Sequence, residues 1–131
     1  MKRRQNMPII KKETPAVQPC TVYEIAAQAA DEKKAWNITI LNIEESSLMA
    51  DYFVICSVRN ERMARSVADA VEEALALQGH SVTHKEGYHT GKWILLDAGI
   101  VVIHIFVENE RQYYGIEDLW GDAKRIPFAG E

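Results

Sequence analysis

Ser46-Ser47, Asp51 and Asp97 are the residues of this chain whose types could move a nucleotidyl group. That chemistry needs a Gly-Ser turn to hold phosphate and paired carboxylates to hold metal ions. No glycine precedes the two serines, and the position two beyond Asp51 is Phe53, so the carboxylate pair is incomplete. The serines therefore read as loop residues, and Asp51 as the start of a strand or a support of that loop. His80 and His84 are four apart, a spacing that suits a metal on a helix face. On a strand the same spacing separates them by about 13 Å. Cys20 and Cys56 form neither a disulfide framework nor a metal spacing, and Cys56 sits in an apolar run as a small hydrophobe. No nucleophile elbow, glycine-rich phosphate loop or Cys-His pairing is present. No catalytic residue, metal site or cofactor is assigned. The alternative reading is a nucleotide-binding or nucleotidyltransferase-type enzyme that uses Asp51 and Asp97.

The rings are the stronger signal. Trp93, Tyr113, Tyr114 and Trp120 lie in the last third of the chain, close to Lys92, Glu108, Arg111 and Asp118. Rings at a rim of charge suit protein interfaces, where Trp, Tyr and Arg carry most of the binding energy. The competing reading is that they are core. His104 interrupts an otherwise apolar run and needs a hydrogen-bond partner if buried.

The elements that must position these residues follow from pattern. Thr21-Val-Tyr-Glu24 is a capping box that opens a helix with Val22, Ile25, Ala26 and Ala29 on one stripe. Ile38–Ile43 and Asp51–Cys56 are apolar, β-branched strands. Asn60 is placed to cap a long helix over Glu61–Gln78, and Gly79 to end it. His80–Glu86 alternates like a strand near a sheet edge. Trp93–Asp97 and Ile100–Phe106, joined by a tight Ala98-Gly99 turn, form a hairpin. Both runs are apolar on nearly every residue, so both faces are expected to be covered. Short helical turns are expected over Glu108–Tyr114 and Ile116–Trp120. The helices are too few for strict βαβ repetition, which points to a mixed sheet.

At 131 residues, with 47% hydrophobic and 26% charged residues, the chain has the profile of one soluble domain. No apolar run approaches the roughly 20 residues of a membrane span, and no secretory apolar block is seen, so a cytoplasmic location is expected. Residues 1–20 hold five Lys or Arg against one Glu, a balance of +4; the rest holds ten against eighteen, a balance of −8. Residues 1–19, basic and proline-rich, read as a disordered arm with at most an incidental ribosomal RNA contact, and 20–131 as the domain. An acidic body suits a basic protein partner better than nucleic acid.

The chain resembles the ribosomal silencing factor family, also called RsfS or Iojap-like proteins. The resemblance rests on Ser46-Ser-Leu-Met-Ala-Asp-Tyr-Phe-Val-Ile-Cys-Ser57 and Val67-Ala-Asp-Ala-Val-Glu-Glu73. It continues through Glu86-Gly87, Trp93-Ile-Leu-Leu-Asp97, Gly99 and Val102-Ile-His-Ile-Phe106, and ends with Arg111-Gln-Tyr-Tyr114 and Leu119-Trp-Gly-Asp-Ala123. It implies an α/β fold with a mixed five-stranded sheet flanked by helices, of nucleotidyltransferase-like topology without the catalytic motif. It implies a translational repressor that binds the large ribosomal subunit through its fourteenth large-subunit protein and blocks the small subunit when nutrients are short. It also implies a homodimer. By motif position, Trp93 would be the central anchor that binds the ribosomal protein, with Leu95 beside it; His104, Tyr113 and Tyr114 would belong to that binding surface or to the dimer contact, and Leu119 and Trp120 to the dimer contact. Ile100 stands where the family usually has an acidic residue, and the basic arm lies outside the family pattern.

Overall fold

The computed structural model describes residues 21–48 and 50–128. The basic arm of residues 1–19 lies outside them. The elements run α1 (Val22–Glu32), β1 (Trp36–Asn42), β2 (Tyr52–Val58), α2 (Glu61–Leu77), β3 (His84–Glu86), β4 (Trp93–Asp97), β5 (Val101–Val107), α3 (Glu108–Tyr114), α4 (Ile116–Leu119) and β6 (Lys124–Ile126). The strands form one open sheet in the order β3-β4-β5-β2-β1-β6. The central pair, β2 and β5, is parallel; every other pair is antiparallel. The mixed sheet is as expected, but it has six strands and not five. The sixth, β6, is three residues long and mostly exposed, too short and polar to leave a periodic signature.

Local chemistry sets the helix ends. Glu24 N–H donates to Thr21 Oγ1 at 3.2 Å, and Thr21 N–H to Glu24 Oε1 at 3.0 Å, which closes the capping box. Asn60 Oδ1 accepts from Met63 N–H at 2.9 Å and starts α2. At the other end Gly79 takes φ +83°, so that Gly79 N–H reaches Ala76 O and His80 N–H reaches Leu75 O. That closing turn also shortens the strand expected over His80–Glu86. The His80 amide belongs to the helix end; the ladder with β4 spans His84–Glu86, and Thr83 N–H adds a bond to Asp97 O at 2.8 Å.

Strand alternation divides the core in two. Ile38 and Ile40 of β1, Val54, Cys56 and Val58 of β2, Ile94 and Leu96 of β4, and Ile103 and Ile105 of β5 face the α1–α2 layer. That layer answers with alanines, Ala26, Ala30, Ala64 and Ala68, all fully buried. Small side chains let the two helices approach each other and the sheet closely. Leu41, Ile43, Phe53, Ile55 and Phe106 point to the opposite face, which α4 covers with Ile116.

The hairpin differs from expectation in two respects. Ala98 N–H donates to Val101 O at 2.9 Å, so the turn residues are Gly99 and Ile100 rather than Ala98 and Gly99. Gly99 supplies the positive φ of +87°, and its amide is held by Asp97 Oδ1 at 2.8 Å. The second face of the hairpin is also only partly covered: Ile94 and Leu96 are buried, whereas Trp93, Leu95 and Asp97 are half-buried. Among the described residues, the segments that roof this face, α3 and α4, are seven and four residues long, too short to span it.

Arg111 fastens α3 and α4 to the sheet. Its side chain is 4% exposed. Nη1 donates to Asn37 O at 2.8 Å and Ser57 Oγ at 2.9 Å; Nη2 donates to Thr39 Oγ1 at 3.1 Å. Nε and Nη2 grip both carboxylate oxygens of Glu117 at 2.9 Å, a two-pronged pairing. That hydrogen bond, against the opposing effect of burial, holds the Glu117 carboxyl below the usual range. Between the two helices Gly115, at φ +56°, ends α3 and begins α4, which turns Ile116 into the core. Replacing Arg111 with Met leaves Glu117 only the longer 3.7 Å contact with Arg125, and is expected to cost about 3–5 kcal/mol of unfolding free energy in a urea titration. A loss below about 1 kcal/mol would remove Arg111 from this role.

Candidate functional site

The half-covered face of β4 and β5 brings the rings together. Trp93 lies opposite Phe106 across the antiparallel pair, and Leu95 opposite His104. The Trp93 indole stacks on Phe106 with centroids 4.8 Å apart and planes at 25°. Tyr114, projected from the end of α3, leans on the same indole at 4.8 Å. Tyr113 touches Tyr114 edge-on at 5.2 Å and is 82% exposed. In the other direction the His104 ring meets the edge of Phe53 at 4.6 Å, and Phe53 meets Trp120 at 5.2 Å. The result is a row: Tyr113, Tyr114, Trp93, His104, Phe53, Trp120. Leu95 lies on the same strand face as Trp93, and Leu119, 79% exposed, sits beside Trp120.

All seven residues singled out from the sequence therefore lie on or beside one row. Phe53 joins its two halves and was not anticipated, because Asp51–Cys56 reads as uniformly apolar. The signal was alternation: Phe53, Ile55 and Ser57 share the face that holds His104 and Phe106. Gly87 also matters. At φ +76° its α-carbon sits so close to the start of β4 that an added Cβ would lie 2.1 Å from Trp93 O. Only glycine lets the preceding loop pack where it sets Trp93 in place.

Beside Leu119 and Trp120 lies an open groove of about 450 Å³, lined also by Ser46, Asp118, Gly121, Asp122 and Ala123. Its charged lining is acidic, which suits cationic side chains.

The residues of the transferase reading hold turns and strand ends together. The Asp97 carboxylate is engaged by the hairpin turn, and Asp51 hydrogen-bonds through its backbone, its N–H to Ile100 O and its O to Ile43 N–H. Ser46 closes a turn onto Ile43. Among the described residues no group of three or more His, Cys, Asp or Glu is placed to hold a metal ion. His84, exposed in β3, bonds Glu86 instead. Burial pushes the Cys56 thiol up to about 12, so it stays protonated and unreactive.

His104 is 3% exposed. Its Nδ1 accepts the Trp93 indole N–H at 3.1 Å. An indole nitrogen only donates, so Nδ1 is unprotonated and the neutral ring carries its proton on Nε2. Burial lowers the imidazole from 6.5 to about 4. As pH falls the unfolded chain takes up this proton before the folded one does. The contribution of the neutral ring to stability is thus complete above about 6.5 and is lost as pH drops toward 4. Denaturant titrations at pH 7 and pH 4 are expected to show wild type losing about 3 kcal/mol more than His104→Gln, at roughly 1.4 kcal/mol per pH unit. Equal losses would mean that the imidazole titrates as if in water.

The described residues contain no helix long and apolar enough to cross a membrane. A family model described as "Ribosomal silencing factor during starvation" matches residues 16–131. A protein named ribosomal silencing factor RsfS from Halalkalibacterium halodurans is 38% identical over 107 residues, covering 82% of this chain and 92% of the relative. Its namesake from Bacillus subtilis is 40% identical over 103 residues, covering 79% and 87%. A crystal structure of a Chromobacterium violaceum protein superimposes with a TM-score of 0.75 at 29% identity, covering 82% of this chain and 89% of that one. Identity at this level over nearly the whole of each relative, and a shared fold, carry the same conclusion as the motifs: this chain belongs to the ribosomal silencing factor family.

Proposed function

We propose that the chain is a ribosome-bound repressor of translation that works by occlusion. It docks on the large ribosomal subunit through the fourteenth large-subunit protein, and the small subunit cannot join while it is there. Nutrient limitation is the condition in which this matters. No bond is made or broken; occupancy follows the concentration of the repressor relative to its dissociation constant.

The observation that carries this reading is the row of rings on a half-covered sheet face, in a chain of this family. Trp93, Leu95 and Tyr114 offer a compact apolar centre, His104 lies beneath it, and Tyr113 extends it into solvent. An aromatic centre with a polar rim is the usual anatomy of a binding hot spot. The acidic body, −8 over residues 21–131, complements a basic ribosomal protein and raises the rate of encounter. Such a protein acts in the compartment that holds its ribosomes, the cytoplasm in a bacterium.

A homodimer formed through Leu119 and Trp120 belongs to the same proposal: the exposed Leu119 stands beside Trp120, where the row of rings ends next to the acidic groove. Sedimentation of Leu119→Asp is expected to give a monomer at concentrations where wild type is a dimer. An unchanged dimer would place the contact elsewhere.

The docking reading is tested by titrating purified large subunits in a pull-down. Trp93→Ala is expected to weaken binding more than tenfold, at least about 1.4 kcal/mol, while the protein stays folded. Wild type is expected to slow the pairing of large and small subunits, followed by gradient sedimentation. Unchanged affinity in Trp93→Ala removes Trp93 as anchor; unchanged pairing removes occlusion.

A further inference from the structure

Strand β5 is apolar at every position except His104, and the imidazole there is almost wholly buried. An apolar side chain at this position would leave no polar atom to satisfy. The histidine instead brings a liability: its Nε2, which carries the proton, has no hydrogen-bond partner among the described residues. Buried polar atoms without partners are uncommon in folded proteins. What the histidine gains is the bond at its other nitrogen, the 3.1 Å contact from the Trp93 indole.

That bond fixes more than distance. Trp93 is held on three sides: Phe106 stacks under it, Tyr114 leans against it, and His104 Nδ1 takes its only polar group. The two aromatic contacts allow the indole to slide or flip. The hydrogen bond selects one orientation, because only one has the N–H aimed at Nδ1.

We infer that His104 is a positioning residue for the docking face: it holds Trp93 in one orientation and takes its N–H away from the partner, so that the partner meets Trp93 as an apolar ring. This rests on the docking role proposed for that face and deepens it. The partner site opposite Trp93 is therefore an apolar depression, with no acceptor required for the indole. His104 itself touches no partner.

The test combines an indole readout with a binding readout. The Trp93 indole proton is assigned in ¹H–¹⁵N spectra by its loss in Trp93→Phe, and its exchange with water is measured. Affinity is measured on purified large ribosomal subunits. His104→Phe keeps a planar ring, somewhat larger than the imidazole, and deletes the acceptor; His104→Asn places Oδ1 near the position of Nδ1. In His104→Phe we expect indole exchange to quicken at least tenfold and affinity to fall about fivefold or more. His104→Asn is expected to recover most of both. In a Trp93→Phe background, His104→Phe is expected to cost nothing further in affinity. If His104→Phe fails to fold, His104→Gln, whose oxygen lies at the Nε2 position, serves as the acceptor-free variant. Unchanged indole exchange on loss of the acceptor would overturn the inference, as would an equal affinity loss in the Trp93→Phe background. If Trp93→Ala binds subunits like wild type, the docking role falls, while the exchange measurement still decides whether His104 holds the ring.

Discussion

A single buried guanidinium ties the last third of this chain to the first. Arg111 spends its fork on Glu117 and on three groups of β1 and β2, and no other described polar side chain links so many separate segments. A buried charge is tolerated only when paired and fully hydrogen-bonded, and that demand is what gives the contact its specificity. It permits essentially one placement of α3 on the sheet. Tyr114, three residues further along that helix, is thereby delivered to Trp93.

The two faces of the sheet are built to different rules. One is sealed by α1 and α2 with alanine-rich, close packing, and supplies the main core. The other is sealed at one side only, by a few residues around Ile116. The described residues hold enough helix to cover one face well and a fraction of the second. Leaving Trp93, Leu95 and Val102 half-buried costs apolar burial that a longer α3 would recover. The same economy leaves a flat aromatic surface available to something outside the chain.

What was legible in the sequence was local. The capping box at Thr21, the cap at Asn60 and the stop at Gly79 depend on residues within a few positions of one another, and all three are seen. The hairpin was legible from two apolar runs around a glycine, with its turn displaced by one residue because Asp97 caps the Gly99 amide. Arg111 was not legible: it looked like a charge among rings, and its sheet partners lie 54 to 74 residues away. The open side of the hairpin was equally hidden, since a strand apolar throughout looks the same whether or not a helix comes to cover it. The candidate rings were identified by type, but their union into one row depends on Phe53, which only the register of β2 against β5 brings beside His104.

The sheet ends in two very short strands. His84-Lys85-Glu86 closes one side and Lys124-Arg125-Ile126 the other, three residues each and rich in charge. Such borders are poor templates for another chain's backbone, because pairing would bury ionic groups for few hydrogen bonds. Growth of the sheet from molecule to molecule, the usual route to insoluble fibres, is therefore blocked at both margins. A protein that keeps a sticky aromatic surface exposed can accumulate in quantity only if its backbone offers no such foothold.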